Sequence, residues 1–228
     1  MSLGERLFAA MYDRFTASSE KACFSPYREA LLVGVQGDVL EIGAGTGANL
    51  SHYGHGLATL TLTEPSKPMI RRLERRRDEL APDAKVLRAP AEDLPFDDDS
   101  FDAVVCTLVL CGVDDQPRTL RELGRVLRPG GELVFMEHIR SDEPKLARLQ
   151  DRMNRVNNII VHCDCNRPTL DSIRAAGFSI TKLERGTIAK APPFVRPLAV
   201  GVAQAEAAHG IGSSGPPMED PVSQPGSA

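Results

Sequence analysis

Glu41, Glu64 and Glu92 each stand where an apolar or alternating run of residues ends, and a glycine-rich turn, Gly43-Ala44-Gly45-Thr46-Gly47, lies between the first two. Glycines at Gly43 and Gly45 let a backbone turn sharply and come close to a ligand with no Cβ in the way. The chain is expected to restart as a helix after the turn, with its free N–H groups facing whatever sits above. A carboxylate beyond a strand end can accept a pair of ribose hydroxyls, and one beside a backbone N–H can read the adenine amino group. The residue types and their order therefore point to an adenosine-containing cofactor.

Two such cofactors compete at this point. Gly43-x-Gly45-x-x-Ala48 satisfies the dinucleotide fingerprint G-x-G-x-x-G/A, which favours NAD. Glu41, two residues before the first glycine, would repel a pyrophosphate but suits a cationic amino-acid head group. S-adenosylmethionine (SAM) carries such a head group and a sulfonium. On the SAM reading, Glu41, Gly43, Ala44, Gly45, Gly47 and Asn49 hold the methionine portion. Glu64 and Pro65 take the ribose, and Ala91 and Glu92 the adenine, with Leu94 and Phe96 against the ring. Thr107 and Leu108 border the methyl. The competing readings are a helix N-terminal charge for Glu64 and a surface loop with incidental acids for Glu92.

Periodicity supplies the elements that must position these residues. Val39–Ile42 is a buried strand, and Leu57–Thr63 alternates as an extended segment does. Ser66 caps a helix with Pro68 in its first turn and Met69, Ile70, Leu73 and Leu80 on its buried side. Residues 85–88 form a third strand. Residues 101–110, apolar apart from Asp102 and Thr107, form a fourth strand covered on both faces. An amphipathic helix over 116–127 stops at Pro129-Gly130-Gly131, and a fifth strand follows over 132–137. A polar helix over about 143–160 and a shorter one between Pro168 and Gly177 lead to strands over 178–184 and 198–204. Strands alternating with helices predict an α/β fold, a mostly parallel sheet with helices on both faces. Residues 1–36, with Leu7, Met11 and Phe15 at helical spacing, predict an N-terminal helical lid. The domain proper is expected over 37–205, and a glycine-, serine- and proline-rich disordered tail over 206–228.

Over roughly residues 36–140 the sequence resembles the class I SAM-dependent methyltransferases. The segments that carry the resemblance are Leu40-Glu41-Ile42-Gly43-Ala44-Gly45-Thr46-Gly47, Ala91-Glu92-Asp93-Leu94-Pro95-Phe96, 100–105 and 127–131, and they look like the branch that holds the quinone-biosynthesis enzymes. The resemblance implies a Rossmann-like seven-stranded sheet of order 3-2-1-4-5-7-6 with strand 7 antiparallel, and SAM rather than NAD, leaving S-adenosylhomocysteine as product. A narrower resemblance, through 105–111, Phe135-Met136-Glu137-His138, Cys165-Asn166 and Val195-Arg196-Pro197, is to the methyltransferase-like thiol S-methyltransferases of animals. Those proteins carry an N-terminal hydrophobic membrane anchor that this sequence does not show, and no integral membrane segment is expected.

The acceptor is expected to be small and fairly apolar, with a thiol as first choice. The alternatives are C-, O- or N-methylation of a quinol, phenol or phospholipid amine, and SAM binding without catalysis. Transfer from a sulfonium needs an acceptor lone pair in line behind the methyl with water excluded. A thiol must also lose its proton, for which His138, at the end of the fifth strand, and His162 are the candidate bases. The competing reading of His138 is a structural histidine beneath the substrate. Cys111 and Cys165 are expected to line the substrate pocket. His162-Cys163-Asp164-Cys165 is too tightly spaced for an ordinary zinc site, so no metal is assigned.

Composition narrows the rest. A net charge of −4 argues against nucleic-acid binding, and the cluster Arg71, Arg72, Arg75, Arg76 and Arg77 is the solvated face of a helix. No apolar secretory core precedes the first charges, so a cytoplasmic protein with reduced cysteines is expected.

Overall fold

The computed structural model describes Ala17 and residues 19–205. The helical stretch expected at Leu7, Met11 and Phe15 and the tail expected to be disordered lie outside the described residues. The strands are β1 (Gly37–Ile42), β2 (Leu57–Thr63), β3 (Lys85–Leu87), β4 (Phe101–Thr107), β5 (Leu127–His138), β6 (Phe178–Thr187) and β7 (Pro197–Ala205). A π-helical turn, Glu20–Phe24, runs into α1 (Ser25–Leu32). It is followed along the chain by α2 (Lys67–Leu80), α3 (Gln116–Val126), α4 (Pro144–Val161) and α5 (Thr169–Ala175). The strands form one sheet in the order β3-β2-β1-β4-β5-β7-β6. Every pairing through β5 is parallel, and β7 runs antiparallel to both of its neighbours.

Successive side chains of a strand point to opposite faces, and the central strands use both. Leu40, Val104, Leu133 and Phe135 join one apolar cluster with Leu120, Leu123 and Ile173 from the helices. Val39, Val105 and Val134 join another on the opposite face with Leu32, Leu62 and Leu73. A third cluster, built from Cys23, Phe24, Met136, Leu198 and Val200, seats the N-terminal π-turn against β5 and β7. The parallel register aligns Glu41 with Val105, and Thr107 with Met136. The carboxyl ends of β1, β4 and β5 therefore open along one edge of the sheet, where ligands of such folds bind.

The structure departs from the sequence-based expectation in several places: β6 runs on to Thr187, and Leu80, expected on the buried side of α2, is exposed. No regular helix follows the glycine turn. Residues 45–52 are consecutive turns held by i→i+3 bonds such as Gly47 N to Ala44 O (2.8 Å) and His52 N to Asn49 O (2.9 Å). Gly43, Gly45 and Gly47 all have positive φ, which interrupts helical geometry. β4 stops at Thr107 instead of running on to 110. Leu108 turns into the left-handed region (φ 60°), and the N–H groups after it leave the sheet for the Glu137 carboxylate. β5 begins at Leu127, ahead of the Pro129-Gly130-Gly131 turn, which appears as a register shift within the pairing. Ser66 takes the N-cap position of α2, but its side chain makes no capping bond; Glu64 accepts from Ser66 N instead (2.8 Å).

Candidate active site

Glu41 is buried at the carboxyl end of β1, 2 % exposed, and both its oxygens are engaged. Oε1 accepts from Asn49 Nδ2 (3.0 Å) and Oε2 from the Tyr53 hydroxyl (2.7 Å). Burial pushes the carboxyl up to about 7, against the opposing pull of Tyr53, Arg28 and Asn49. Asn49 Nδ2 also donates to Thr107 Oγ1 (3.0 Å), at the tip of β4. Arg28, reaching across from α1, donates from Nη1 to Asn49 Oδ1 (2.6 Å) and Thr107 Oγ1 (2.9 Å), and from Nε to Glu20 (2.8 Å). Glu41, Asn49 and Thr107, placed together from the sequence, do converge. Arg28 and Tyr53 complete the network and were not foreseen, because their own segments carry no glycine or carboxylate motif.

The turn itself is shaped by close packing. A Cβ added at Gly43 would lie 2.6 Å from a Val109 methyl, and one at Gly47 would lie 2.7 Å from Leu50 Cδ1. At Gly45, by contrast, it would meet nothing nearer than 3.9 Å, so that side of the turn is open. Ala44 is buried and donates its N–H to Thr63 O (2.9 Å), tying the turn to the tip of β2.

Glu64, 7 % exposed, accepts from Gly45 N through Oε2 (3.0 Å), and burial pushes its carboxyl up. It thus bridges the turn and the start of α2. Pro65 accepts Arg88 Nε through its carbonyl (2.9 Å). Ala91 is buried in the core with Leu94, and Glu92 Oε1 accepts from Asp114 N (2.9 Å), joining the loop after β3 to the start of α3. Arg125 fixes the same loop by donating to the carbonyls of Leu94 (3.0 Å) and Phe96 (2.7 Å).

Leu108, half-buried, lines a cavity of about 710 Å³ together with Phe24, Arg28, Thr46, Ala48 and His52. Next to it the chain after β4 wraps around Glu137. That fully buried carboxylate accepts from Val109 N (2.8 Å), Leu110 N (3.0 Å), Cys111 N (3.3 Å) and Cys106 Sγ (3.2 Å). Burial raises its pKa, opposed by Val109, Leu110, Cys106 and the nearby His138.

The second cluster lies past β5. Cys111 Sγ is 3.6 Å and Cys163 Sγ 3.2 Å from His138 Nδ1. Burial disfavours charge on His138, but Cys111 and Glu137 beside it outweigh this and raise its pKa. The hydrogen bond with Cys163 and burial hold the Cys111 thiol well above its ordinary range. His162 closes α4 in the left-handed conformation (φ 51°) and is exposed. It is the next residue, Cys163, whose sulfur reaches His138. Cys165 is fully buried, with its thiol facing Asn154 Oδ1 (3.6 Å) and burial pushing its pKa up to about 11. The spacing of 162–165 had drawn attention to adjacent cysteines, whereas the fold pairs Cys163 with a cysteine from another segment.

Residues 40–135 match the family model described as a methyltransferase domain. Human thiol S-methyltransferase TMT1A is 33 % identical over 202 residues, covering 86 % of this chain and 82 % of that protein. The chain belongs to the SAM-dependent methyltransferases. Demethylmenaquinone methyltransferase of Clavibacter sepedonicus is 39 % identical over 115 residues, half of this chain and 46 % of that enzyme. Among solved structures, a SAM-dependent methyltransferase of Thermotoga maritima, a possible histamine N-methyltransferase, superposes with a TM-score of 0.67 at 23 % identity, covering 88 % of this chain and 98 % of the other. That likeness carries the fold.

The donor set of this methyltransferase fits SAM. Gly45 leaves room beside the turn, carboxylates stand at the ends of β1 and β2, and no regular helix begins at the turn to present its N-terminus to a pyrophosphate. Among the described residues, no helix is long and apolar enough to cross a membrane.

Proposed function

We propose that this methyltransferase transfers a methyl group to a small, fairly apolar thiol. The observation that carries the reading is the extent of the match to a thiol S-methyltransferase. Its 202 aligned residues, 86 % of this chain, reach well beyond the domain match at 40–135. Bound SAM supplies a methyl already activated on a sulfonium. Glu41, with Asn49 beside it, would hold the amino-acid end, the Gly43–Gly47 turn would cover it, Glu64 would take the ribose, and Ala91 and Glu92 the adenine.

The acceptor enters over the tip of β4. Leu108, on the cavity wall, offers it an apolar contact, which suits a sulfur nucleophile. Residues 20–32 close the other side, with Phe24 and Arg28 on the cavity wall. A thiol with a pKa of about 8.5 is a few per cent ionised at neutral pH, and thiolate is the reactive form. His138 is given a positioning part, since both contacts of its Nδ1 are to cysteine sulfurs.

Incubation with SAM and a panel of alkyl and aryl thiols, quinols, phenols and amines tests the proposal, scored by the atom that gains the methyl. S-methyl products are expected. Methylation confined to carbon, oxygen or nitrogen acceptors would overturn it.

A further inference from the structure

Cys111, His138 and Cys163 come from three separate segments: the loop after β4, the end of β5 and the chain after α4. Their ligand atoms all lie within 4.8 Å of one another. A tetrahedral zinc ion bonds sulfur at about 2.3 Å and nitrogen at about 2.0–2.1 Å, so its sulfur and nitrogen donors lie roughly 3.5 Å apart. The observed separations from His138 Nδ1, 3.6 Å to Cys111 Sγ and 3.2 Å to Cys163 Sγ, bracket that value.

Neutral imidazole has one accepting nitrogen with a single in-plane lone pair. Nδ1 can accept from only one of the two thiols, and Cys111 is also hydrogen-bonded to Cys163; an ion between the three atoms would engage all of them.

The backbone holds the donors in place. Cys111 O accepts from Asp164 N (2.7 Å), Cys163 O from Asn157 Nδ2 (2.6 Å), and Cys111 N is tied to Glu137 Oε2. A Cβ at Gly112 would fall 2.8 Å from His162 O, so the close approach of the two segments depends on that glycine. Cys111 and Cys163 are 2 % and 7 % exposed. Two thiolates with a divalent cation form a neutral group, which a buried site accommodates far better than separate charges.

We propose that Cys111 Sγ, His138 Nδ1 and Cys163 Sγ form a zinc site with three protein donors, the fourth position being left to a ligand from solution. Binding replaces two S–H bonds by two Zn–S bonds and releases two protons to solvent, with no change of oxidation state. The inference does not depend on which acceptor is methylated.

The test uses the full chain, reduced with a phosphine and stripped with chelator. It is titrated with Zn²⁺ against a chromophoric chelator, and in parallel with Co²⁺. One zinc per chain is expected, with release of about two protons at a pH where the thiols are protonated. The cobalt complex is expected to show thiolate-to-metal charge transfer and the intense d–d bands of a tetrahedral site. Cys163→Ser, checked for folding by circular dichroism, is expected to weaken zinc binding ~100-fold or more, and Cys165→Ser to retain it. Absence of zinc from the reduced wild type, a cobalt spectrum without thiolate bands, or loss of zinc in Cys165→Ser but not in Cys163→Ser would overturn the site. The wild-type cobalt spectrum decides the matter if a variant fails to fold.

Discussion

Arg28 and Asn49, 21 residues apart, are joined by a buried 2.6 Å bond from Nη1 to Oδ1 that couples helix α1 to the glycine turn. Because the Asn49 oxygen accepts from Arg28, its amide nitrogen is oriented to donate to Glu41 and Thr107. One guanidinium thus sets the side-chain order of the whole carboxyl edge above β1 and β4. A double-mutant cycle with Arg28→Met and Asn49→Leu is expected to show a coupling of ~1–3 kcal/mol in urea unfolding. Additivity within about 0.5 kcal/mol would show that the contact has no energetic weight.

Glu41 makes stability depend on pH. Its carboxyl titrates near 7 in the folded protein against an ordinary value of 4.5, chiefly because it is buried. The folded state therefore binds more protons between those values. The group's stabilising share is complete below pH 4.5 and is lost as pH rises through about 7, amounting to roughly 3 kcal/mol. Glu41→Gln removes this dependence. The stability of the variant relative to wild type is expected to improve steadily from pH 5 to pH 8 in thermal or urea unfolding. A difference that stays constant over that range would contradict the buried, protonated carboxyl.

Gly43→Ala tests the packing of the turn. The new methyl would meet Val109 at 2.6 Å, on a backbone with φ of 56°. The left-handed conformation costs about 1–2 kcal/mol for a residue with a Cβ, and overpacking adds a similar amount. A loss of ~2–4 kcal/mol in unfolding free energy is expected, and an unchanged midpoint would show that the turn relaxes freely.

Glu137→Ala strands the N–H groups of Val109, Leu110 and Cys111, which the carboxylate now collects. Each buried donor left unsatisfied costs about 1–3 kcal/mol. The variant is expected to lose at least ~3 kcal/mol of stability, measured by urea unfolding. A loss below about 1 kcal/mol would mean that the loop finds other partners.

The sheet was legible from sequence because its strands are marked by composition: β2 begins and ends where alternation in Leu57–Thr63 begins and ends. The strand order came from resemblance to a family, and the pairing confirms it. β4 was read too long because Leu108, Val109 and Leu110 are as apolar as a strand. Their departure from the sheet is dictated by Glu137, far along the chain. The approach of Glu41 and Thr107 was visible from their places at strand ends, and that of Asn49 from the glycine-rich turn that carries it. Arg28 and Tyr53 were not, since helical spacing reports which face is buried and not which charge reaches across a cavity. The partnership of Cys163 with Cys111 and His138 was not legible, because local spacing set Cys163 beside Cys165 while Cys111 lies in another segment.

The central claim is that carboxylates at the strand ends hold an adenosyl-sulfonium cofactor, and calorimetric titration of SAM into wild type and Glu64→Gln addresses it most directly, with urea unfolding to confirm that the variant is folded. Loss of a charged hydrogen bond is expected to weaken SAM binding roughly 10- to 100-fold, with NADH unable to displace SAM from the wild type. Equal affinity in the two proteins, or displacement by NADH, would contradict it.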